Sequence, residues 1–267
     1  MDQAGGKALS LIMMTREGMP VPPGLVLTVE FFEPWMLTLQ ATPEWQGLQG
    51  TSLDGLGRAT EALQVLCNNL RFTTHQQEQL DQALAVFQAS HHVDLFAVRS
   101  SSPEEDLEGA SFAGGYETTL GVLVEDLQAA ILHSFASCFN ERVFLYKKEH
   151  GFPTNHPRIA IILQQQVDAE SAGVAFSLNP LNNCFDEAVI NANHGLGESV
   201  VSGDVDPDVF VVNKLKREII ETHIGGKQTV ITLNHTGGTS KSTRANHQEA
   251  SVTPAHVLEL AGLLEQV

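Results

Sequence analysis

The stretch VRSSSPEEDLEGASFAGGYET, Val98–Thr118, decides how the rest of the chain is read. A short apolar run, Leu95–Val98, predicts a strand, and the next residue is a cation, Arg99. Serines occupy 100–102, the acids Glu104, Glu105 and Asp106 follow, and small residues fill Ala110–Gly115. A planar guanidinium at a strand end can reach into a cleft. A glycine-rich loop lets backbone N–H groups approach a polyphosphate with few side chains in the way. On that reading Arg99, the hydroxyls of Ser100–Ser102 and the loop grip one phosphate chain. The other reading is a surface loop whose arginine pairs with Glu104, Glu105 or Asp106. The residues alone leave both open.

Composition limits the ligand. The 267 residues carry 15 basic and 32 acidic side chains, a net charge of -17. Nucleic acid and anionic membrane both need a basic footprint, so neither is expected as a partner. An anionic ligand would need the few cations gathered where it sits. No apolar run approaches the ~20 residues that span a bilayer. The start, MDQAGGKALS, lacks the pattern of a signal peptide, so a cytoplasmic location is the default expectation. Cys67, Cys138 and Cys184 form no C-x-x-C pair, which points to reduced structural thiols.

Working outward from Arg99, the upstream half reads as helix-rich. Residues 7–17 carry apolar positions at helical spacing, with Gly18 as a natural stop. Pro20, Pro22 and Pro23 force an extended chain into a strand around Leu25–Thr28. Helices are predicted over 53–70 and 76–89, and the longest helical pattern covers 124–148. After the turn at 151–157 the character changes to short β-rich runs at 158–163, 173–177, 187–191, 209–213, 217–222 and 228–233. The polar segment 234–248 reads as an exposed loop. Thr253 and Pro254 open a last helix. The expected organisation is α+β, with an α-rich lobe over 1–150 and a β-rich lobe over 151–267.

Several chemical motifs are excluded. Neither Gly6-Lys7-Ala8 nor Gly226-Lys227-Gln228 fits a P-loop, and GLGESV at 195–200 fails the dinucleotide fingerprint at Val200. The alternation Asp204, Asp206, Asp208 fails as a calcium loop at Val209 and Leu215. Gly5-Gly6-Lys7 before a helix offers amide donors and a point charge to a phosphate, although a plain helix start is the better reading. Gly195-Leu196-Gly197-Glu198 is a tight turn or a backbone surface for a nucleotide.

Together, GGKALSL, PVPPGLVLT, VRSSSPEEDLEGASFAGGYET, ILQQQVDAESAGVAFSLNP and INANHGLGESVVSGDVDPDVFVV resemble the ATP-binding domain of phosphoenolpyruvate synthase. Pyruvate phosphate dikinase and rifampicin phosphotransferase share that domain. The resemblance covers nearly the whole chain in the family's order. It implies an ATP-grasp-like fold, with two α/β lobes around a nucleotide cleft. It implies phosphoryl transfer from ATP to a histidine on a swivelling domain, which carries the group to its acceptor. By the same resemblance Lys7 and Arg99 bind phosphates, Gly114 and Thr118 contact the nucleotide, and Gln164 helps hold it near the hinge. Lys7 and Arg99 are the expected catalytic cations, acting by positioning and charge neutralisation.

Departures from the family pattern qualify these expectations. Gly115 stands where the family usually has glutamine, and Gln164-Gln165-Gln166-Val167 replaces Q-x-M-V. The family's C-terminal strands, which carry a magnesium-binding glutamate and further ATP contacts, are not among the 267 residues. Mg2+ is thus expected for the full-length family with its ligand absent here. None of the 11 histidines has the phosphohistidine context; His247 is the nearest and does not match. The phosphohistidine and phosphoenolpyruvate/pyruvate-binding domains are expected in a full-length parent or on separate chains. The leading expectation is a truncated ATP-binding part of a dikinase-like phosphotransferase, inactive in isolation. The rivals are a non-catalytic nucleotide-binding or regulatory module and a gene fragment without function.

Overall fold

The computed structural model describes residues 2–104, 117–244 and 248–266. Two compact units divide the chain, Met1–Gln166 and Val167–Val267. Helix and sheet occur in both, so the α+β expectation holds. The division lies beyond the turn at 151–157, because the strand after that turn pairs inside the first unit.

In the first unit, α1 (Gly5–Arg16) leads through the proline segment into β1 (Gly24–Leu27). Then come α2 (Glu33–Gln40), α3 (Pro43–Gly50), α4 (Leu56–Cys67) and α5 (Thr74–Ser90). Thr73 starts α5 with a capping box: its hydroxyl accepts from the Gln76 amide, and the Gln76 side chain returns to the Thr73 amide. β2 (Leu95–Ser101), β3 (Thr118–Leu123), α6 (Leu127–Ala136), α7 (Glu141–Glu149) and β4 (Ala160–Gln165) complete the unit. The four strands form one antiparallel sheet in the order β1-β4-β2-β3.

The helical pattern at 124–148 is not one helix. A 3-10 turn at Ser137–Phe139 and the extended Asn140 separate α6 from α7. Asn140 caps α7, its side chain accepting from the Arg142 amide at 3.1 Å. Apolar periodicity survives the break because both pieces face one core, so the pattern hid the cap.

One face of this sheet carries the core. Phe96 and Val98 on β2, Val122 on β3, Ile161 and Leu163 on β4 and Leu27 on β1 join Leu63, Ile131, Phe135 and Phe139 from the helices. Trp35 stacks on Phe72 at 4.9 Å between centroids, and its indole N–H donates to the Arg71 carbonyl at 2.7 Å. Cys67 and Cys138 lie in this core. Burial pushes the Cys67 thiol up to about 12 and raises Cys138 too, so both behave as apolar side chains.

The second unit is a meander. β5 (Ser171–Phe176), β6 (Glu187–His194), β7 (Asp208–Asn213) and β8 (Glu218–His223) pair antiparallel in that order, with α8 (Glu198–Val201) between β6 and β7. β9 (Thr229–Leu233) and β10 (Thr239–Thr243) form a hairpin, so 239–243 is strand where a loop was expected. Its polar, exposed residues hid the signal, since neither face of β10 is buried. α9 (Pro254–Leu264) lays Val257 and Ala261 on Ala188, Ile190, Phe210 and Val212. No helix among the described residues is long and apolar enough to cross a membrane.

Candidate functional site

The sheet face opposite the first unit's core gathers three of the expected site residues. Pleating puts directly opposed residues on one face. Arg99 on β2 opposes Thr118 on β3 and Ile162 on β4. Gln164 opposes Ala97 on β2 and Gly24 on β1. Since Phe96, Val98, Ile161 and Leu163 point into the core, Arg99, Thr118 and Gln164 share the other face. The Arg99 guanidinium donates to the Gln164 side-chain oxygen, Nη1 to Oε1, at 3.2 Å. The Gln164 amide nitrogen donates to the Pro22 carbonyl at 3.0 Å, so the proline segment orients the glutamine that meets Arg99.

Lys7 reaches the same strand from α1. Its ammonium donates to the Ser100 carbonyl at 2.7 Å. The helix start is packed directly on β2, which requires the glycine at its first position. Gly5 has φ +74°, and a Cβ there would lie 2.3 Å from the Ser101 carbonyl oxygen. The Ser101 hydroxyl donates to the Ala4 carbonyl at 2.7 Å and accepts from the Ala8 amide at 3.0 Å. A helix-start amide is thus satisfied from within the protein.

The three serines therefore have a different role from the one expected. All are buried. Ser100 donates to the Glu117 carbonyl at 3.3 Å and Ser102 to the Arg158 carbonyl at 2.8 Å. Their hydroxyls tie down the end of β2. Of the acids offered as partners for Arg99, Glu104 pairs with Lys147, Oε2 to Nζ at 2.6 Å, with both side chains buried. Sequence reading did not find that pair, because its members lie on separate elements 43 positions apart and Lys147 belongs to no motif. Gly114, Glu105, Asp106, most of the 110–118 loop and His247 lie outside the described residues.

The other motifs resolve as local structure in the second unit. Gly195 has φ +76°, and a Cβ would lie 2.2 Å from the Ile231 carbonyl oxygen. The Gly195 amide donates to Glu170 at 2.8 Å and the Leu196 amide to Ile231 at 2.7 Å, as a tight turn joining β6 to β9 would require. Asp208 forms an ion pair with Lys227, both without exposed side-chain surface. It also accepts from the amide and hydroxyl of Ser251 at 2.6 and 2.7 Å, and from the Gly225 amide at 3.1 Å. Burial alone would raise the Asp208 carboxyl, but the contacts with Lys227, Ser251 and Gly225 outweigh it and hold the group below its ordinary range. Among the described residues no group of three or more His, Cys, Asp or Glu side chains can hold a metal ion.

Comparison with known proteins identifies the family. The family model "Pyruvate phosphate dikinase, AMP/ATP-binding domain" matches residues 1–267. The chain is 34% identical over 265 residues to the uncharacterized phosphotransferase YvkC of Bacillus subtilis, covering 98% of this chain and 30% of that protein. It is 35% identical over 251 residues to a probable phosphoenolpyruvate synthase of Methanocaldococcus jannaschii, covering 89% and 21%. It is 30% identical over 271 residues to the rifampicin phosphotransferase of Bacillus cereus, covering 98% and 31%. The chain thus spans less than a third of the length of each of these relatives. With a match over its whole length, the chain belongs to the pyruvate phosphate dikinase AMP/ATP-binding domain family.

Proposed function

We propose that the chain binds ATP through the Arg99 face of the first unit, within an ATP-grasp-like fold, as the nucleotide-binding part of a phosphoenolpyruvate synthase-like phosphotransferase. Lys7 and Arg99 neutralise the phosphates, and Thr118 and Gln164 orient the nucleotide. A pyrophosphoryl group passes from ATP to a histidine of a carrier domain and leaves AMP. Water or inorganic phosphate then takes the terminal phosphoryl, released as phosphate or pyrophosphate, and the histidine passes the remaining one on to its acceptor. Positioning and fixed positive charge do most of the work in such a transfer. Magnesium would neutralise further phosphate charge when bound. Among the described residues no group of three or more His, Cys, Asp or Glu side chains builds a site for it.

The observation that carries this reading is the meeting of Arg99 and Gln164 beside the Lys7–Ser100 contact, in a chain of an AMP/ATP-binding family. In so acidic a protein, two cations converging on one strand end is what an anionic ligand requires. Calorimetric titration with ATP tests it. ATP should bind, and Arg99→Ala should remove most of that binding. A folded chain that ignores ATP, or an Arg99→Ala variant that binds as well as the parent, would overturn the reading.

A further inference from the structure

We infer that Lys147 is a positioning residue for the phosphate-facing cations, acting through Glu104 and the end of β2. The inference rests on the ATP-binding reading above for its functional meaning, though its geometry stands without it.

Lys147 sits on α7 with its side chain 1% exposed, and Glu104 is nearly as buried at 9%. The ammonium lies 2.6 Å from Glu104 Oε2 and 5.6 Å from the centre of the Phe144 ring. Phe144, Phe139 and Cys138 of the same region belong to the apolar core. An ion pair in such surroundings contributes little net stability, because desolvation offsets attraction. What it supplies is a fixed geometry: a long aliphatic stem held by packing and one charge-assisted hydrogen bond.

The geometry fixed is that of the chain just after β2. The Glu104 amide donates to the Ser102 hydroxyl at 3.1 Å, and that hydroxyl donates to the Arg158 carbonyl at the approach to β4. The neighbouring Ser101 hydroxyl holds the start of α1, and the Ser100 carbonyl accepts from Lys7. Residues 100–104 are therefore tied to α1, to α7 and to the lead into β4. Arg99 precedes this segment directly, and Lys7 is bonded to it. A shift of the Glu104 end is passed to the carbonyl that orients Lys7.

Two variants separate positioning from stability. Lys147→Arg keeps the charge and should keep function. The double variant Lys147→Met with Glu104→Leu replaces the pair by apolar side chains of similar bulk, and such replacements commonly fold as well as the parent. The expected result is a double variant with near-parental thermal unfolding whose ATP affinity falls on the order of tenfold while its adenosine affinity is unchanged. A purely structural role would move ATP and adenosine together. The second readout needs no nucleotide. Acetylation of Lys7 by acetic anhydride, followed by mass spectrometry, should be faster in the double variant and parental in Lys147→Arg. If the parent binds no ATP, the nucleotide reading falls and the acetylation rate alone decides the positioning role. A folded double variant with parental Lys7 acetylation overturns the inference. So does one that loses ATP and adenosine equally, or loses neither.

Discussion

Arg99 and Gln164 stand on neighbouring antiparallel strands, two residues out of direct opposition, and their side chains meet at 3.2 Å. Diagonal neighbours on one sheet face lie within reach of long side chains. The glutamine is itself held by the Pro22 carbonyl, so the guanidinium is aimed by the proline segment at the far edge of the sheet.

That relationship predicts graded losses at Arg99. Arg99→Ala removes a charge-assisted contact of about 1.5–3 kcal/mol, which is about ten- to a hundredfold in ATP affinity. Arg99→Lys keeps the charge but not the planar fork, and should lie between parent and alanine. Gln164→Leu leaves Arg99 its charge and removes its guide, so the loss should be smaller than for Arg99→Ala. Calorimetry on the three variants checks the order, and a Gln164→Leu loss exceeding that of Arg99→Ala would contradict it.

The start of α1 predicts a stability effect. Gly5→Ala forces a residue with a side chain into the left-handed region and drives its Cβ against the Ser101 backbone. The conformational cost alone is about 1–2 kcal/mol, and the clash adds to it. Ser101→Ala removes two hydrogen bonds that join the helix start to β2, with a cost of about 1–3 kcal/mol. Denaturant unfolding should show both as destabilised. Unchanged midpoints in Gly5→Ala would mean that α1 does not pack on β2 in this way.

Much of this site could be read from the residues. Arg99, Thr118 and Gln164 come together because strands at 95–98 and 158–163 were legible from apolar runs, and pleating does the rest. What could not be read was the partner of each polar group. The hydroxyls of Ser100–Ser102 look like ligand donors in sequence, yet each is buried against backbone from another element. Lys147 and Glu104 are 43 positions apart, and nothing local marks a lysine inside an amphipathic helix as buried. Likewise α2 and α3 follow a mixed, tryptophan-bearing stretch whose helical period is short and interrupted at Pro43.

Lys227 and Asp208 predict how the second unit responds to a broken ion pair. Neither side chain has exposed surface. Lys227→Met leaves a buried carboxylate facing only neutral donors, a change that costs about 3–5 kcal/mol. Thermal unfolding of the second unit should drop by many degrees, while Lys241→Met, which touches Asp204 at the surface, should change little. Equal effects from the two lysines would refute the distinction between the buried and exposed pairs.

His194 predicts a pH dependence at milder acidity. It lies at the end of β6, and its Nε2 is buried with no hydrogen-bond partner among the described residues. Burial holds its pKa below the ordinary histidine range, and the charges of Arg244 and Lys227 push the same way; the Glu249 backbone and Asp208 oppose them. The folded pKa is therefore lower than the unfolded value of about 6.5. Above about pH 6.5 both states hold a neutral ring and the contribution to stability is complete. As pH falls below that value the unfolded chain takes up a proton that the folded ring refuses, and stability is lost until the folded pKa is passed. The Asp208 carboxyl, held low, loses its contribution only in the carboxylate range below about pH 4, outside the interval measured below. Thermal unfolding should be followed from about pH 7.5 to about pH 5 for the parent and for His194→Gln, which keeps a polar side chain but cannot titrate. Comparing the two proteins cancels the other titrating groups. The parent should lose more stability across this interval than the variant, and parallel curves would show that His194 is as readily protonated in the folded chain as in the unfolded one.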